Sequence, residues 1–197
     1  SFAGATSFLS GNINVAGALD IQISGPITTG AIDVSGGSLT LAANGAGNLI
    51  TLNGDVSTSA GQSYLTAVTL GANVIMSSAS AGDIVFSNTL DGTRGLTINT
   101  AGATRFGGAV GGTDALITLL TDSGGSTAIN GGNVRTTSTQ TFNDAVTLGA
   151  DTTLTSIGGR AITLASTVNG AQSLTVNTVA ATTFGGAVGG TTALTSL

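Results

Sequence analysis

Hydrophobic and polar residues alternate in short runs along the chain, and most runs end at Gly, Asn or Ser. Examples are the runs IVF at Ile84–Phe86, ITL at Ile162–Leu164 and LTV at 174–176. Alternation with a period of two is typical of β-strands that bury one face. No window keeps apolar residues at helical spacing, and Thr, Val, Ile and Gly dominate where helix formers are needed. The pattern therefore predicts an all-β protein with almost no helix.

A longer sequence repeat is superimposed on this alternation. The motif FGGAVGGT begins at Phe106 and again at Phe184, 78 residues later. The segment LTINT at Leu96 returns as LTVNT at Leu174, and AVTLGA at residues 67–72 returns at 145–150. Because each motif returns at the same offset, the similarity indicates a repeated unit and not a biased composition.

The 78-residue repeat divides into shorter units of 19 to 21 residues. Continued in both directions, this division predicts ten coils, which begin near residues 4, 23, 42, 61, 82, 101, 120, 139, 160 and 179. A unit this short cannot bury an apolar face alone, but coils stacked about 4.8 Å apart share backbone hydrogen bonds in both directions. We therefore expect residues 1–197 to form a single segment of parallel β-helix, or β-solenoid.

Apolar side chains at one phase of successive coils should stack into ladders inside such a rod. Three ladders follow from the short units, and they predict three faces around the interior. The first contains Phe8, Ile27, Phe86, Phe106 and Phe184; the second contains Ile13, Ile32, Val110, Ile129, Leu148 and Val188; the third contains Leu19, Leu96, Leu116, Leu154, Leu174 and Leu194. The glycines of the FGGAVGGT motif are predicted at corners, because Gly adopts corner backbone angles with little strain.

The short unit, the LTVNT-type strand and the FGGAVGG corner resemble the β-solenoid repeats of filamentous hemagglutinin-like bacterial exoproteins and autotransporter-type adhesins. The resemblance covers essentially the whole chain. It implies a right-handed parallel β-helix that is exported across the outer membrane and that projects or carries an adhesive region. It also implies that residues 1–197 are a fragment of a much longer repetitive protein.

Composition restricts the partners of such a rod. Charged residues are 7% of the chain, against about 25% in an average domain, and the formal net charge is −5. The four cations are Arg94, Arg105, Arg135 and Arg160, too few for a phosphate-binding face. We expect the partners to be neighbouring solenoid repeats of the same protein, with self-association into fibres as a further possibility. Neither nucleic acid nor a small-molecule substrate is expected, and no receptor is specified.

Catalytic chemistry has few candidate residues. The chain has no His, Cys or Glu, which excludes nucleophile–His catalysis and removes the commonest ligands of transition metals. Hydrolysis of a polysaccharide by two carboxylates would need two Asp side chains about 5 to 10 Å apart. Asp33 and Asp91 occupy similar positions within their predicted coils, and so do Asp83 and Asp122. The members of each pair are two or three coils apart, however, and Asp144 stands alone, without an Asp at a similar position. No such pair is therefore predicted.

Three further features have a structural interpretation. Arg94 and Asp114 should be neighbours on adjacent coils and form a surface ion pair. The segment GGTDALI at 111–117 resembles calcium-binding nonapeptide repeats, but the nine-residue tandem that calcium needs is absent. Thr-x-Thr elements such as 153–155 suggest an ice-binding face, which would need a regular Thr ladder, whereas the predicted Thr positions drift between coils. No catalytic, cofactor-binding or metal-binding residue is predicted, and no cofactor.

The sequence therefore predicts a protein that is not an enzyme. The favoured function is the structural shaft of a secreted or cell-surface bacterial adhesin or exoprotein, a rigid spacer at the outer cell surface or in the extracellular space. The alternative is a self-assembling extracellular filament or sheath component built from stacked β-solenoids, because an uncapped coil is an open strand edge. A third hypothesis, a carbohydrate-active solenoid enzyme, requires a groove with clustered Asp residues.

Overall fold

A computed structural model of the protein describes residues 11–197. Their secondary-structure elements are 24 short β-strands, and the strands pair in parallel throughout. The described part of the chain contains no helix that could cross a membrane. The predicted all-β, parallel β-solenoid is confirmed, whereas its right-handed sense stays a prediction.

The strands form three faces, which the chain visits in the order face 1, face 2, face 3 in most turns. Face 1 consists of β1 (Ile13–Val15), β4 (Ile32–Val34), β7 (Val56–Thr58), β10 (Val74–Ser78), β13 (Leu96–Thr100), β15 (Leu119–Thr121), β18 (Gln140–Phe142), β21 (Ile162–Leu164) and β24 (Thr182–Phe184). Face 2 consists of β2 (Leu19–Ile23), β5 (Leu39–Ala43), β8 (Gln62–Tyr64), β11 (Ile84–Phe86), β14 (Ala103–Phe106), β16 (Ser126–Ile129), β19 (Ala145–Leu148) and β22 (Val168–Asn169). Face 3 consists of β3 (Ile27–Thr29), β6 (Ile50–Leu52), β9 (Val68–Leu70), β12 (Leu90–Asp91), β17 (Asn133–Thr136), β20 (Thr152–Ser156) and β23 (Leu174–Asn177), with Val110 bridging β12 and β17.

Strand alternation builds one continuous core along the rod axis. In β13, Leu96 and Ile98 point inward and are completely buried, while Thr97 between them points outward. The same alternation on the other faces gives a single cluster of buried apolar residues that runs from Ile21 to Leu174. Phe106 and Val110, whose inward direction the repeat predicts, are both completely buried.

An aromatic stack forms the middle of the core on face 2. The rings of Tyr64 and Phe86 lie 5.0 Å apart, and those of Phe86 and Phe106 lie 5.7 Å apart, both nearly parallel. Ile129 and Leu148 continue this ladder in register. Phe86 and Phe106 thus stack as predicted, but the other described members of this predicted ladder belong to different faces.

The predicted ladders are correct for a few neighbouring residues and wrong over their whole length. Ile27 lies on face 3 and Phe184 on face 1, whereas Phe8 lies outside the described residues. Ile13 and Ile32 stack on face 1, but Ile129 and Leu148 stack on face 2. Of the third predicted ladder, Leu19 lies on face 2, Leu96 on face 1 and Leu174 on face 3.

The cause of this error is the length of the turns. The prediction of ten coils of 19 to 21 residues is wrong, because the described chain makes about eight turns with a spacing of about 22 residues. Partners on face 1 are 19 residues apart for Ile13 and Ile32 but 24 apart for Ile32 and Val56. The longer turn contains the corner segment 44–49, which separates β5 from β6. The corners, and not the strands, therefore set the length of each turn.

The 78-residue repeat is real, but it does not return to the same face. Phe106 lies on face 2 and its counterpart Phe184 on face 1, while Leu96 on face 1 corresponds to Leu174 on face 3. Between two equivalent residues the chain makes eleven steps from face to face, which is three turns and two thirds of a fourth. Each copy of the repeat is therefore rotated about the rod axis relative to the copy before it.

A buried glutamine shows that the repeat preserves detailed contacts despite this rotation. Gln62 on face 2 and Gln140 on face 1 are completely buried, and their side-chain amides donate to the carbonyl oxygens of Ser77 and Thr155, each at 2.9 Å. The remaining acceptors also correspond: Val56 O and Thr58 Oγ1 for Gln62, Val134 O and Thr136 Oγ1 for Gln140. The same contacts are thus made on two different faces.

A corner with left-handed backbone corresponds in the same way. Ala81 has φ of 56°, and its counterpart Gly159 has φ of 63°. A side chain is strained in this conformation, which Gly adopts freely. The later copy has the residue better suited to the shared corner.

The two buried glutamines differ in one respect, which gives a matched pair of substitutions. The Tyr64 hydroxyl donates to Gln62 Oε1 at 2.9 Å, whereas Phe142 stands at the equivalent position beside Gln140, whose Oε1 has no partner among the described residues. We expect Tyr64→Phe to lower the free energy of unfolding by about 1 to 3 kcal/mol, because it leaves a buried acceptor unsatisfied. We expect Phe142→Tyr to raise it by about 0.5 to 1.5 kcal/mol, since it supplies the missing donor.

Urea denaturation of both variants and the parent protein measures these changes. Effects of the same sign for the two substitutions would show that the Gln62 and Gln140 positions are not equivalent. The double variant, Tyr64→Phe with Phe142→Tyr, should lie between the two single variants.

Candidate functional site

Several carboxylates accept hydrogen bonds from the backbone of the next coil. Asp55 Oδ1 accepts from the amide of Ile75, and Asp83 Oδ1 accepts from the amide of Ala103, both at 2.8 Å. These contacts satisfy amides close to the beginnings of strands, where an unpaired group would be unfavourable. These carboxylates therefore have a structural function between coils.

The repeat shows that this function needs an oxygen acceptor and not a charge. Asp151 Oδ1 accepts from the amide and the hydroxyl of Ser173, each at 2.8 Å. Its counterpart Asn73 accepts through Oδ1 from the amide of Gly95 at the same distance. Asp and Asn therefore substitute for each other at one position of the repeat.

A second position exchanges the two residue types in the opposite order. Asp91 Oδ1 accepts from the amide of Thr113 at 2.8 Å. In the later copy, Asn169 Oδ1 accepts from the amide of Thr191 at 2.9 Å. A carboxylate that acts as a general acid, general base or nucleophile would not tolerate this exchange, because an amide neither ionises nor carries charge.

The predicted ion pair between Arg94 and Asp114 is wrong. Arg94 instead donates through Nε to the carbonyl of Gly71 at 2.9 Å, and the one ion pair among residues 11–197 joins Arg105 Nη2 to Asp83 Oδ2 at 3.3 Å. Both members of that pair are about half exposed. Exposed pairs of this kind contribute at most about 1 kcal/mol to stability.

The acids compared by phase are distributed differently from the prediction. Asp33 lies on face 1 and Asp91 on face 3, so they do not share a face. Asp122 and Asp144, by contrast, lie on adjacent turns at the corner between faces 1 and 2. The prediction that Asp144 stands alone is therefore wrong, because the 19-residue units placed these two residues at different phases.

Asp144 is the one buried carboxylate among the described residues, with 3% of its surface exposed. Its Oδ1 accepts from the Thr121 hydroxyl at 2.8 Å, and its Oδ2 accepts from the Thr127 hydroxyl at 2.8 Å. Burial raises the pKa of Asp144 above its ordinary value, and the nearby Asp122 raises it further, whereas the two hydroxyls and the residue's own amide lower it. Burial also raises the pKa of Asp122.

The position of Asp144 limits what it can do chemically. A carboxylate enclosed by core hydroxyls has no access to a polymeric substrate, so the pair does not form the open acidic groove that a glycosidase requires. Within residues 11–197, no three carboxylates come together as a metal site would need. Sequence reasoning missed this cluster, and the signal that would have located it is the 22-residue separation of two Asp residues.

The outer surface of face 1 has a column of threonines that the sequence did not predict. Thr141, Thr163 and Thr183 stand directly above one another in register, and their side chains alternate with buried neighbours. The prediction that Thr positions drift between coils is wrong for this part of the face. The column is interrupted by Leu120, which separates it from Thr97. It is therefore shorter than a continuous ladder over the whole rod.

Two shallow grooves lie on the surface. One, of about 310 Å³, lies on face 1 between Asp55, Ile75, Thr97 and Thr118. The other, of about 570 Å³, lies at the C-terminal end of the rod, between the corner segments 155–159 and 176–179. Asp55 is the one charged residue among those that line the two grooves.

Comparison with protein-family models, with curated proteins and with solved structures found no match. The chain is therefore described by its architecture, a parallel β-solenoid with a 78-residue repeat.

Substitutions at Asp151 test whether the acceptor or the charge matters at the coil boundary. We expect Asp151→Asn to leave the melting temperature at pH 7 close to that of the parent protein, because Asn73 makes the equivalent contact. Asp151→Ala should lower it, since the Ser173 amide loses its partner. Thermal unfolding followed by circular dichroism distinguishes the two outcomes, and equal losses for both variants would contradict the acceptor interpretation.

Asp144 should make the protein more stable in mild acid. Because its pKa is raised in the folded state, its protonated form is favoured by folding. The resulting stability is fully present below the unfolded value of 3.8 and is lost as the pH rises through the folded pKa. The melting temperature should therefore rise as the pH falls from 7 towards 4, and Asp144→Asn should reduce that rise. Asp151 has the opposite effect on stability, because its pKa is lowered in the folded protein and its ionised form is favoured by folding. The stability that it contributes is lost only in more acidic solution.

The control for this measurement is Asp33→Asn, at an exposed position on face 1. It should leave the pH dependence of the melting temperature unchanged. A parent-like rise in the Asp144→Asn variant would show that Asp144 does not cause it.

Proposed function

We propose that this chain is a non-catalytic structural shaft, a rigid spacer in a secreted or cell-surface bacterial adhesin or exoprotein. The observation that carries the proposal is the uninterrupted stack of about eight turns around one core. Each turn is held to the next by backbone pairing on its faces, so bending the rod would break many hydrogen bonds at once. Stiffness along an axis is the property that a spacer needs.

The use of polar side chains supports a structural role. Carboxylates such as Asp55, Asp83 and Asp151 bind amides of the next turn, and the buried Gln62 and Gln140 bind backbone carbonyls. This distribution favours a structural role over catalysis and supports the proposal that the chain is not an enzyme.

The cations give similar support against nucleic acid as a partner. Arg94 and Arg135 each donate to a backbone carbonyl, and Arg105 pairs with Asp83. The extracellular location and the adhesin context rest on the resemblance of the repeat to exoprotein solenoids and are part of the proposal. The implied partners are neighbouring repeats of the same protein.

Electron microscopy of the intact protein tests the shaft. Single rods should project from the cell surface, and residues 11–197 should contribute on the order of 40 Å to the rod length at about 4.8 Å per turn. Antibodies raised against residues 11–197 should label cells that have not been permeabilised. Labelling only after permeabilisation, or a compact globular particle in place of a rod, would contradict the proposal.

A second candidate function is a self-assembling extracellular filament or sheath component. The observation that favours it is the pairing of successive turns along the rod axis through backbone hydrogen bonds, a mode of pairing that turns of separate molecules can also form. The two functions differ in the behaviour of purified protein, because indefinite fibres or ordered bundles support the filament and separate rods of one length support the shaft.

A further inference from the structure

Asn-Gly dipeptides occur at several corners of the solenoid, and each is a possible site of covalent change. They begin at Asn44, Asn53, Asn130 and Asn169. In an Asn-Gly dipeptide the glycine nitrogen can attack the asparagine carboxamide, because no side chain on the glycine blocks the approach. The attack needs a carboxamide that can rotate and a glycine nitrogen that is not held by an acceptor. The four dipeptides differ in both conditions, so the structure ranks their reactivity.

Hydrogen bonds with the next turn hold both reacting groups at Asn169. The carboxamide oxygen of Asn169 accepts from the amides of Thr191 and Thr192, at 2.9 and 3.2 Å. Gly170 N donates to the Thr192 carbonyl at 3.2 Å. Both groups must leave their partners before they can meet, and the need for such local opening keeps the reactive population small.

The carboxamides of Asn53 and Asn130 are restrained by packing. Gly71 lies so close to the Asn53 carboxamide that an added Cβ would overlap its oxygen, and Gly149 lies equally close to the Asn130 carboxamide. Close packing against the backbone of the next turn hinders rotation of both side chains. At Asn130 the attacking nitrogen is also held, since Gly131 N donates to a carbonyl of the preceding turn at 3.1 Å.

Asn44 alone among the four meets both conditions for attack. It begins the corner segment 44–49, in which residues 44–47 are all exposed. Among the hydrogen bonds of residues 11–197, none involves the Asn44 carboxamide, and none has Gly45 N as its donor. The carboxamide can therefore turn towards the Gly45 nitrogen without breaking a contact with the described part of the rod.

The corner is anchored by other groups. The Asn48 side-chain amide donates to the main-chain carbonyls of Ser24 and Asn44, at 2.8 and 2.6 Å. Asn44 N donates to the Ile23 carbonyl at 2.6 Å. These contacts use the main chain of Asn44 and not its carboxamide, so loss of the carboxamide nitrogen leaves their donors and acceptors in place.

We propose that Asn44 is a site of spontaneous deamidation, with water as the co-reactant. The Gly45 nitrogen loses its proton and bonds to Asn44 Cγ, and the side-chain nitrogen leaves as ammonia, which gives a five-membered succinimide. Water then opens this ring. Cleavage at Cγ gives aspartate, whereas cleavage at the main-chain carbonyl gives isoaspartate, in which the chain runs through the former side chain. The inference goes beyond the shaft function and does not depend on it.

The corner can accept either product. Aspartate makes the net charge of −5 more negative by one unit at an exposed position. Isoaspartate lengthens the main chain by one atom, and the solenoid already accommodates turns of different length. Equivalent residues on face 1 are 19 apart for Ile13 and Ile32 but 24 apart for Ile32 and Val56, across this corner. We therefore expect β5 and β6 to keep their pairing after the modification.

Peptide mapping by mass spectrometry tests the site on the full chain after incubation in mildly alkaline buffer. We expect Asn44 to deamidate at least about tenfold faster than Asn130 and Asn169, because those sites react only after local opening. Asn53 should also react more slowly than Asn44. Fragmentation that distinguishes aspartate from isoaspartate should find both products at position 44, and the melting temperature should stay close to that of fresh protein.

Two controls separate the corner from the dipeptide. In concentrated urea the rates at the four sites should converge, because the contacts that protect three of them are lost with the fold. In the folded Asn44→Gln variant the new acidic product at position 44 should disappear, because glutamine cannot form the five-membered ring, while the other three sites keep their rates.

Either of two results would overturn the proposal. One is a rate at Asn44 in the folded chain that does not exceed the rates at Asn130 and Asn169. The other is a preference for Asn44 that persists unchanged in urea, because the local sequence and not the folded corner would then set the rate. Electron microscopy of the rod is unaffected by either result, so failure of this site is separable from failure of the shaft.

Discussion

Backbone pairing between consecutive turns is the interaction on which this fold depends. A parallel ladder places each residue directly above its counterpart in the next turn, and inward side chains must therefore stack with partners of compatible size. The rings of Tyr64, Phe86 and Phe106 satisfy this condition on face 2, and Ile129 and Leu148 extend the column. Because every strand takes part in pairing, the core can be narrow and still continuous.

The same constraint governs the buried polar groups of the core. A polar side chain that the ladder directs inward must find its partner inside the rod, so the Gln62 amide donates to the Ser77 carbonyl and the Thr127 hydroxyl donates to Asp144. Asp144 is the least favourable of these groups, because a carboxylate loses hydration on burial, and two hydroxyls and its own amide replace only part of it. Its counterpart one repeat earlier is Thr66, whose hydroxyl accepts from the Ala43 amide without a charge. The later copy therefore carries a titratable group where the earlier copy has none.

The sequence predicted the elements of the fold better than their arrangement. Period-two runs such as Ile84–Phe86 identify strands because burial on one face imposes that period, and stacking follows because a short repeated unit cannot bury an apolar face alone. The turn length was mispredicted because the sequence does not show how many residues each corner absorbs, and a turn from Ile32 to Val56 differs by five residues from the turn before it. The position of Asp122 and Asp144 on adjacent turns and the Thr141–Thr163–Thr183 column both depend on that register, so neither could be placed without the correct turn length.

The mismatch between the sequence repeat and the turn has a consequence for how such a protein could change in length. One repeat contains a whole number of face-to-face steps, so the gain or loss of one repeat leaves every remaining turn stacked on a compatible neighbour. It also turns everything beyond that point by two thirds of a revolution about the rod axis. Only a change of three repeats restores the original orientation. Repeat number would therefore set both the reach of the rod and the direction in which its distal surface points.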